Sequence, residues 1–410
     1  MNTEGGIEMI IYSDCIYMND GIKDGFLEIE DGKFVKFHDK NSGLTADKDY
    51  SGYRIIPGIF DTHNHGCFGY SLISNDGAVT VDDLKCYLKG LAASGVTNVL
   101  PTTSHLGSIE VIANNADTLL DGAKICGIHS EGPWGARVGE KGINTGYPSV
   151  DMNVAEEMLK LANGKLKLID IAPEVDGAMD AIKYFVDKGV TVGIYHTNAN
   201  FKQANAGIDA GITVATHLGN VMTGLHHRDI GTLGACLFRP EVDCEVICDG
   251  LHIDLEMVRL YFMVKDMSRF MMISDNVHYA GAPVGKYKGM TDDPTSDRKT
   301  ITINEEGFVL SETGRLSGSS KPVIYGIRNL VEELEIPLEK VILMSSLNPS
   351  KKYGFGDTKG EIKLGKDADF VVIDNDYSVI DTYSEGRHVF DYTKDVDLFN
   401  KEYLDAFLIG

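Results

Sequence analysis

The stretch Ile55-Ile56-Pro57-Gly58-Ile59-Phe60-Asp61-Thr62-His63-Asn64-His65 is the starting point for the fold. It begins with a largely apolar run, which predicts a buried strand over residues 55–61, and ends with two histidines separated by one residue. Alternate residues of a strand point to the same side, so His63 and His65 would leave the strand end side by side, close enough to share one metal ion. The same pattern also occurs in polar loops, and the rest of the chain has to decide between the two.

Seven further strand-like runs follow in the middle of the chain, at residues 97–103, 124–131, 167–174, 190–196, 212–217, 244–249 and 270–275. Amphipathic, helix-like patterns separate them, for example over residues 81–93, 154–162 and 178–188. This alternation predicts an α/β fold, a parallel (β/α)8 TIM-like barrel. A doubly wound open sheet is the alternative. It rarely has so many regular units, and the chain has no G-x-G-x-x-G segment that opens a helix.

Both ends of the chain are rich in β patterns. Short apolar runs alternate with turns over residues 8–56, and Asp31-Gly32 is typical of a hairpin turn. Similar runs return at 369–374 and 387–390. We expect the two ends to pair into one small β-sandwich domain, with the barrel inserted between them. The predicted limits are 1–56 for the N-terminal part of the sandwich, 57–355 for the metal-dependent barrel and 356–410 for the C-terminal part.

The composition limits the partners. The chain has 410 residues and a net charge of −23, which argues against binding to nucleic acid or to anionic membranes, because both need clustered Lys and Arg. An anionic small substrate would need a local basic site. The sequence contains neither an apolar run of about eighteen residues nor a signal-peptide pattern. Seven scattered cysteines without a C-x-x-C pair favour a reducing, cytoplasmic location.

Polar residues that can bind a metal or move a proton follow most of the predicted strands. Active sites of such barrels gather at these strand ends, so the residues should converge. Imidazole and carboxylate groups suit zinc, iron and similar divalent ions, and this set therefore indicates metal-assisted hydrolysis. The residues in question are His63, His65, His129, Glu131, His196, His217, Asp249, His252 and Asp275.

The chemistry of each residue type suggests a role. Glu131 is the best carboxylate ligand and could bridge two ions, while His196 and His217 complete a Glu-His-His set. The H-x-H pair could hold a second ion. Asp275 stands alone at the last strand end, which suits an acid or base that moves a proton from water to a leaving nitrogen. We expect one or two divalent ions in each subunit, with zinc or iron first.

Several local sequences resemble the N-acetylglucosamine-6-phosphate deacetylase family of the amidohydrolase superfamily. They include His129-Ser130-Glu131-Gly132-Pro133-Trp134, Ala215-Thr216-His217-Leu218-Gly219-Asn220-Val221-Met222 and Leu225-His226-His227-Arg228-Asp229. Asp249-Gly250-Leu251-His252 and Leu347-Asn348-Pro349-Ser350 also agree, and the match runs in order over residues 55–375. The resemblance implies removal of acetate from a phosphorylated N-acetyl amino sugar, N-acetylglucosamine 6-phosphate, which leaves glucosamine 6-phosphate.

The resemblance also implies roles for individual residues. Glu131, His196 and His217 would hold the principal metal, His63 and His65 a second ion, and Asp275 would be the general acid and base. Asn220 and Val221 would meet the sugar. Arg228 and His252 would bind the phosphate, in this family across a homodimer interface, where the planar Arg group can grip phosphate with two hydrogen bonds.

One position departs from the family pattern. Members usually carry a histidine in a Lys-Gly-x-His segment that contacts the substrate, whereas this chain reads Lys141-Gly142-Ile143-Asn144. Asn144 can donate a hydrogen bond but cannot be charged. His278, in the loop after the last predicted strand, is a candidate for replacing the missing imidazole.

Three other functions stay open. The substrate could be N-acetylgalactosamine 6-phosphate or another phosphorylated acetamido sugar. The chain could instead be a cyclic-amide hydrolase of the same superfamily, but those usually place a carboxylated lysine at the end of strand four, and here Lys165 and Lys167 lie at its start. An inactive scaffold protein would normally have lost metal ligands, and all of them are present.

Overall fold

The computed structural model describes residues 9–72, 77–137, 147–289, 296 and 298–409. The strands are β1 (Met9–Met18), β2 (Gly21–Glu30), β3 (Lys33–Asp39), β4 (Lys48–Asp49), β5 (Arg54–Pro57), β6 (Ile59–Asn64), β7 (Gly66–Cys67), β8 (Tyr70–Ser71), β9 (Val96–Pro101), β10 (Lys124–Ile125), β11 (Ile128–Trp134), β12 (Leu166–Ile171), β13 (Thr191–Ile194), β14 (Ile212–Ala215), β15 (Asp243–Ile247), β16 (Phe270–Ile273), β17 (Gly285–Lys288), β18 (Thr300–Ile303), β19 (Val309–Ser311), β20 (Phe370–Ile373), β21 (Val379–Ser384) and β22 (Arg387–Asp391). The helices are α1 (Val81–Ala93), α2 (Leu106–Asn115), α3 (Met152–Ala162), α4 (Ala178–Asp187), α5 (Phe201–Ala210), α6 (Gly231–Phe238), α7 (Leu255–Val264), α8 (Val323–Glu332), α9 (Leu338–Ile342), α10 (Asn348–Lys352) and α11 (Lys401–Phe407).

Strands from both ends of the chain pair in one sheet, as predicted. The order is β22-β21-β20-β5-β1-β2-β3, with β4 beside β1. The junction is the antiparallel pairing of β20 with β5, in which Phe370 lies opposite Pro57. Asp31-Gly32 connects β2 to β3, and its two residues have φ angles of 48° and 72°. Two consecutive positive φ angles are typical of the type I′ turn that the sequence predicts here.

The middle of the chain alternates strands and helices in the predicted order, which makes the fold a mixed α/β fold. β11 to β16 form a six-stranded sheet whose neighbouring strands are parallel. β6, β9 and β10 form a second parallel sheet. Two isolated parallel bridges, Thr102 with His129 and Asn64 with Asn276, connect the edges of these two sheets.

Several strands end earlier than the sequence predicts. The runs 190–196, 212–217 and 270–275 are strands only as far as Ile194, Ala215 and Ile273. The second residue after each of these strand ends has a positive φ angle, and an extended strand cannot include such a residue. The run 124–131 is likewise divided into β10 and β11, and Gly127 between them has a φ of 153°.

Apolar side chains fill the space beneath the polar strand ends. Five strands contribute one buried residue each to a cluster that also contains Tyr353: Phe60, Leu100, Leu168, Val214 and Met271. A larger core lies between the strands and the surrounding helices, for example where the ring centroids of Trp134 in β11 and Phe185 in α4 lie 6.2 Å apart. The residues at the strand ends therefore lie above a buried apolar cluster, and its packing limits their movement.

The last helix packs against the loops after β16. Tyr403 of α11 joins a buried cluster with Tyr279, Tyr287 and Ile301, and Leu408 bridges to Tyr287. The domain limits 1–56, 57–355 and 356–410 stay a prediction. None of the helices in the described ranges combines the length and the apolar character needed to cross a lipid bilayer.

Candidate metal centre

Three of the predicted site residues lie where the backbone turns sharply after a strand. His196, His217 and Asp275 come two residues beyond the ends of β13, β14 and β16, with φ angles of 37°, 34° and 51°. A left-handed φ is uncommon outside glycine and costs free energy, so such residues often cluster at functional sites. Here the turns direct His196 and His217 toward Glu131 of β11, and Asp275 toward the H-x-H pair.

Glu131 is the centre of this arrangement. Its Oε1 lies 3.0 Å from His217 Nε2 and 3.4 Å from His196 Nε2. Its Oε2 lies 3.1 Å from His65 Nε2, and Oε1 lies 3.8 Å from His63 Nε2. One carboxylate is therefore shared by two possible ligand sets, Glu131 with His196 and His217, and Glu131 with the H-x-H pair.

Asp275 completes the cluster from the last strand end. Its Oδ1 lies 3.4 Å from Nε2 of both His63 and His65. Burial raises the pKa of this carboxyl, but the charge at His63 and the hydrogen bond with His65 outweigh burial, so its pKa lies below its ordinary value. The pKa of Glu131 is likewise held well below its ordinary value, because contacts with His217, His63 and His65 outweigh burial. Both carboxylates are therefore charged at neutral pH.

The cluster is open on one side. The side chains of His63 and His217 are essentially buried, whereas those of Glu131, Asp275 and His196 keep 16%, 19% and 21% of their surface exposed. A ligand would therefore approach between Glu131, Asp275 and His196.

The far sides of three imidazoles have partners that the sequence analysis missed. His65 Nδ1 lies 3.0 Å from the Thr102 carbonyl oxygen, and His196 Nδ1 lies 2.5 Å from the Tyr147 hydroxyl. His63 Nδ1 lies 3.5 Å from a carboxylate oxygen of Glu245. The sequence carried one signal for Glu245: it is a charged residue between the apolar Cys244 and Val246 of β15, and such residues are rarely buried without a partner.

His129 serves a different purpose. Its Nε2 lies 2.7 Å from Asp170 and its Nδ1 lies 3.0 Å from the Thr62 carbonyl oxygen. Asp170 also accepts a hydrogen bond from Thr216. Because both ring nitrogens are occupied inside the fold, His129 acts as a buried link between β6, β11 and β12.

The donor set fits a divalent cation. The Nε2 atoms of four histidines converge on two charged carboxylates, and the Nε2 atoms of His63 and His65 lie only 3.1 Å apart. Two imidazole nitrogens this close can face the same carboxylate when a cation accepts their lone pairs. Zinc and iron are commonly bound by such a combination of imidazole nitrogen and carboxylate oxygen.

Comparison with known proteins agrees with this geometry. The sequence model of the amidohydrolase family matches residues 54–389. The chain belongs to the amidohydrolase family.

Relatives of this amidohydrolase are named as deacetylases of phosphorylated N-acetyl amino sugars. The N-acetylglucosamine-6-phosphate deacetylase of Vibrio furnissii is 29% identical over 371 residues, which cover 86% of this chain and 90% of that protein. The N-acetylgalactosamine-6-phosphate deacetylase of Escherichia coli O157:H7 is 30% identical over 341 residues, which cover 81% and 87%. A solved structure of a mutant N-acetyl-D-glucosamine-6-phosphate deacetylase from Mycobacterium smegmatis, in complex with N-acetyl-D-glucosamine-6-phosphate, has a TM-score of 0.80 and 26% identity and covers 94% of this chain and 100% of its own.

The residues expected to meet the substrate lie around this amidohydrolase centre at different distances. Asn220 is buried beside His217 and donates a hydrogen bond to its carbonyl oxygen at 3.2 Å. Val221 follows with a φ of 50°, and its carbonyl oxygen accepts a hydrogen bond from the Thr197 N–H. Arg228 is exposed on the loop before α6, whose turn is held by backbone hydrogen bonds between His226 and Asp229. Asn144 lies outside the described residues.

His252 is held by a neighbouring carboxylate. Its Nδ1 lies 2.6 Å from Asp249, which also accepts hydrogen bonds from the N–H groups of Leu251 and His252. Burial lowers the pKa of His252, but the hydrogen bond with Asp249 outweighs this effect and raises its pKa. A protonated imidazole here would suit an anionic group.

Two alternatives from the sequence lose support. His278 Nε2 lies 3.1 Å from the Tyr403 hydroxyl of α11, so this nitrogen is occupied away from the ligand cluster. Lys165 pairs with Asp117, and the Lys167 ammonium lies 5.4 Å from the Phe355 ring centroid. Both lysines are therefore engaged at the start of β12, whereas a carboxylated lysine that bridges two metals would lie at the end of that strand.

Proposed function

We propose that this amidohydrolase removes the acetyl group from N-acetylglucosamine 6-phosphate, with acetate and glucosamine 6-phosphate as products. The observation that carries the proposal is the convergence of His63, His65, His196 and His217 on one carboxylate, Glu131, with Asp275 beside the H-x-H pair. The names of the relatives in Vibrio furnissii and Mycobacterium smegmatis point to the same reaction.

We propose that the two parallel sheets close into one (β/α)8 barrel. The bridges from Thr102 to His129 and from Asn64 to Asn276 support closure at both junctions between the sheets. The end sheet would form a small β-sandwich. Phe34 of β3 and Phe370 of β20 are four strands apart in the sheet order, about 19 Å if the sheet were flat, yet their ring centroids lie 6.0 Å apart. The sheet must therefore fold over onto itself.

We propose a resident divalent ion, zinc or iron, at Glu131, His196 and His217, and a second ion at His63, His65 and Glu131. When bound, such an ion polarises an amide carbonyl and makes water a better nucleophile at neutral pH. Asp275 is charged and lies at the open side of the cluster, so it can take the proton of the attacking water. It then passes this proton to the sugar nitrogen as the C–N bond breaks.

Phosphate recognition is proposed for His252 and Arg228. Arg228 is exposed on the loop before α6, and we propose that it reaches the phosphate of a substrate held by a second copy. Exposed apolar residues support a homodimer: Phe238 at the end of α6 and Met263 near the end of α7 keep 61% and 78% of their surface exposed. Lys265 donates hydrogen bonds to the carbonyl oxygens of Cys236 and Arg239, which holds these two helix ends together.

The galactosamine epimer stays a second candidate substrate, because the relative in Escherichia coli O157:H7 carries that name. The predicted cytoplasmic location agrees with the seven free cysteines.

The test is acetate release by purified protein of measured metal content. The substrates are N-acetylglucosamine 6-phosphate, N-acetylgalactosamine 6-phosphate and unphosphorylated N-acetylglucosamine. We expect rapid release from one phosphorylated sugar and slow release from the unphosphorylated one. Loss of activity after chelation, and its return when zinc or iron is added, would identify the metal. Metal-loaded protein that releases no acetate from any of the three would contradict the proposed function.

A further inference from the structure

A second carboxylate lies behind His63, on the side away from Glu131. Glu245 Oε2 lies 3.5 Å from His63 Nδ1, and both side chains are completely buried. Among the described residues, neither of these two atoms has a hydrogen-bond partner elsewhere. Leaving either of them unpaired in a dry interior is costly, so each is the natural partner of the other.

Glu245 is itself held in place from two directions. The Thr62 hydroxyl donates a hydrogen bond to Glu245 Oε1 at 2.6 Å. The Glu245 carbonyl oxygen accepts a hydrogen bond from Leu218 N–H at 2.8 Å, directly after His217. With Oε1 occupied by Thr62, Oε2 is the oxygen left to face His63.

We propose that Glu245 is a positioning residue that keeps the proton of His63 on Nδ1 and directs the Nε2 lone pair at the Glu131 and Asp275 cluster. A charged carboxylate only accepts hydrogen bonds, so this tautomer is the one that satisfies both buried atoms. The inference rests on the proposed function, because it concerns His63 as a ligand of a divalent ion.

Two other imidazoles of the centre have weaker partners, and among the described residues His217 Nδ1 has no hydrogen-bond partner. His65 Nδ1 contacts a backbone carbonyl oxygen, and His196 Nδ1 contacts the neutral hydroxyl of Tyr147. A carboxylate behind a ligand histidine makes the imidazole a stronger donor, and removal of such a partner typically weakens metal binding by about 10- to 100-fold. We therefore expect Glu245 to set the affinity of the ion held by the H-x-H pair.

The experiment is zinc affinity and stoichiometry by competition with a chromogenic chelator, for the wild type and Glu245→Gln. The Thr62 hydroxyl should keep the amide oxygen on its own side, so the amide NH2 would face His63. A donor at this place favours the tautomer with the proton on Nε2, which blocks the ligand position. We expect one zinc equivalent to bind at least about 10-fold more weakly, with the other nearly unchanged.

Asp369→Asn is the matched control. Asp369 is also a buried carboxylate, but it bonds Asn98 and Lys359 beneath the start of β6, away from the ligand cluster. This variant should lose stability and keep zinc affinity, which separates loss of folding from loss of positioning. If Glu245→Gln does not fold, Thr62→Val carries the test, because it frees the Glu245 carboxylate without changing charge. We expect several-fold weaker zinc binding in that variant.

Unchanged zinc binding in a folded Glu245→Gln variant would overturn the inference and leave the hydrolytic function standing. If that variant does not fold, unchanged zinc binding in Thr62→Val has the same meaning. A wild-type protein that binds no zinc, iron, cobalt or manganese would instead overturn the metal-dependent function. The two failures are therefore distinguishable without any activity measurement.

Discussion

Asp275 is the residue on which the proposed chemistry depends most directly. It is placed by an unusual backbone conformation rather than by the strand itself, and two histidines keep it charged in spite of burial. Its Oδ1 lies within 3.4 Å of both imidazoles of the H-x-H pair, at the open side of the centre. A group placed in this way can both receive and return a proton.

Replacing Asp275 with Asn keeps the size of the side chain and removes the proton acceptor. We expect at least ~10²-fold lower kcat with the metal content retained, because the ligands around Glu131 remain. Glu174→Gln is the control, since Glu174 is a carboxylate beyond the end of β12 that bonds Thr197 and Asn198 instead of the H-x-H pair. Near-normal turnover by the Asp275→Asn variant would remove this residue from the proton-transfer role.

Gly193 of β13 is a second residue that matters for the centre, because its neighbours leave no room for a side chain. A Cβ atom there would lie 2.1 Å from Asp170 Oδ1 and 2.7 Å from Thr216 Oγ1. Gly193→Ala should therefore push Asp170 away from His129 and lower the free energy of unfolding by about 1–3 kcal/mol, as overpacking typically does. Gly224→Ala, where no atom lies within 4 Å of the added Cβ, should leave the thermal midpoint unchanged. Equal thermal unfolding midpoints for the two variants would show that β13 has room for a side chain at Gly193, which contradicts the prediction.

At the scale of elements, helix α11 supports the loop that follows β16. Tyr403 stacks on Phe407 with a centroid distance of 4.6 Å, and its hydroxyl lies 3.1 Å from His278 Nε2. The backbone of the same loop bonds β6, since Asp275 N–H donates to the His63 carbonyl oxygen. The C-terminal segment is therefore connected to the centre through a short chain of contacts.

Tyr403→Ala tests this connection. The residue is 8% exposed, so its truncation should lower the free energy of unfolding by roughly 3 kcal/mol, and a loosened loop should also lower kcat. Tyr392→Ala is the control, because Tyr392 is 61% exposed and should tolerate the change. Thermal unfolding and steady-state kinetics measure both effects. A Tyr403→Ala protein with normal stability and turnover would show that α11 does not support the loop.

At the scale of the whole molecule, a net charge of −23 has to coexist with recognition of a phosphorylated substrate. A field of this sign repels anions, so a few local cations must overcome it at short range. His252 and Arg228 are the proposed cations, and in the proposed homodimer the exposed Arg228 would come from the second subunit.

Met263→Glu should disrupt the proposed homodimer, because it places a charge on the exposed apolar end of α7. We expect a monomer in analytical ultracentrifugation and a higher KM for the phosphorylated sugar, an effect that Arg228→Ala should reproduce in the dimer. Val396→Glu introduces the same charge at another exposed apolar residue and should leave the assembly intact. If Met263→Glu sediments like the wild type, α7 does not form the interface.

Local patterns in the chain were sufficient for the elements and for most of the centre. Hydrophobic periodicity is a property of neighbouring residues, so α1 over Val81–Ala93, the Asp31-Gly32 hairpin and the order of the central strands follow from it directly. The histidines that meet around Glu131 could also be grouped in advance, because chemically special residues recur just beyond predicted strands and those strand ends meet in a parallel sheet.

Contacts between distant parts of the chain could not be predicted from local sequence patterns. Glu245 meets Thr62 across 183 positions, and Tyr403 meets His278 across 125, because the sheet order and the docking of α11 bring them together. The left-handed backbone at His196, His217 and Asp275 is equally invisible in the residue types, since such strain persists only where the surrounding structure holds it. Residue chemistry thus indicated which side chains are candidates for the centre, while packing over long separations determined how each of them is oriented, because orientation depends on which side chain lies behind it.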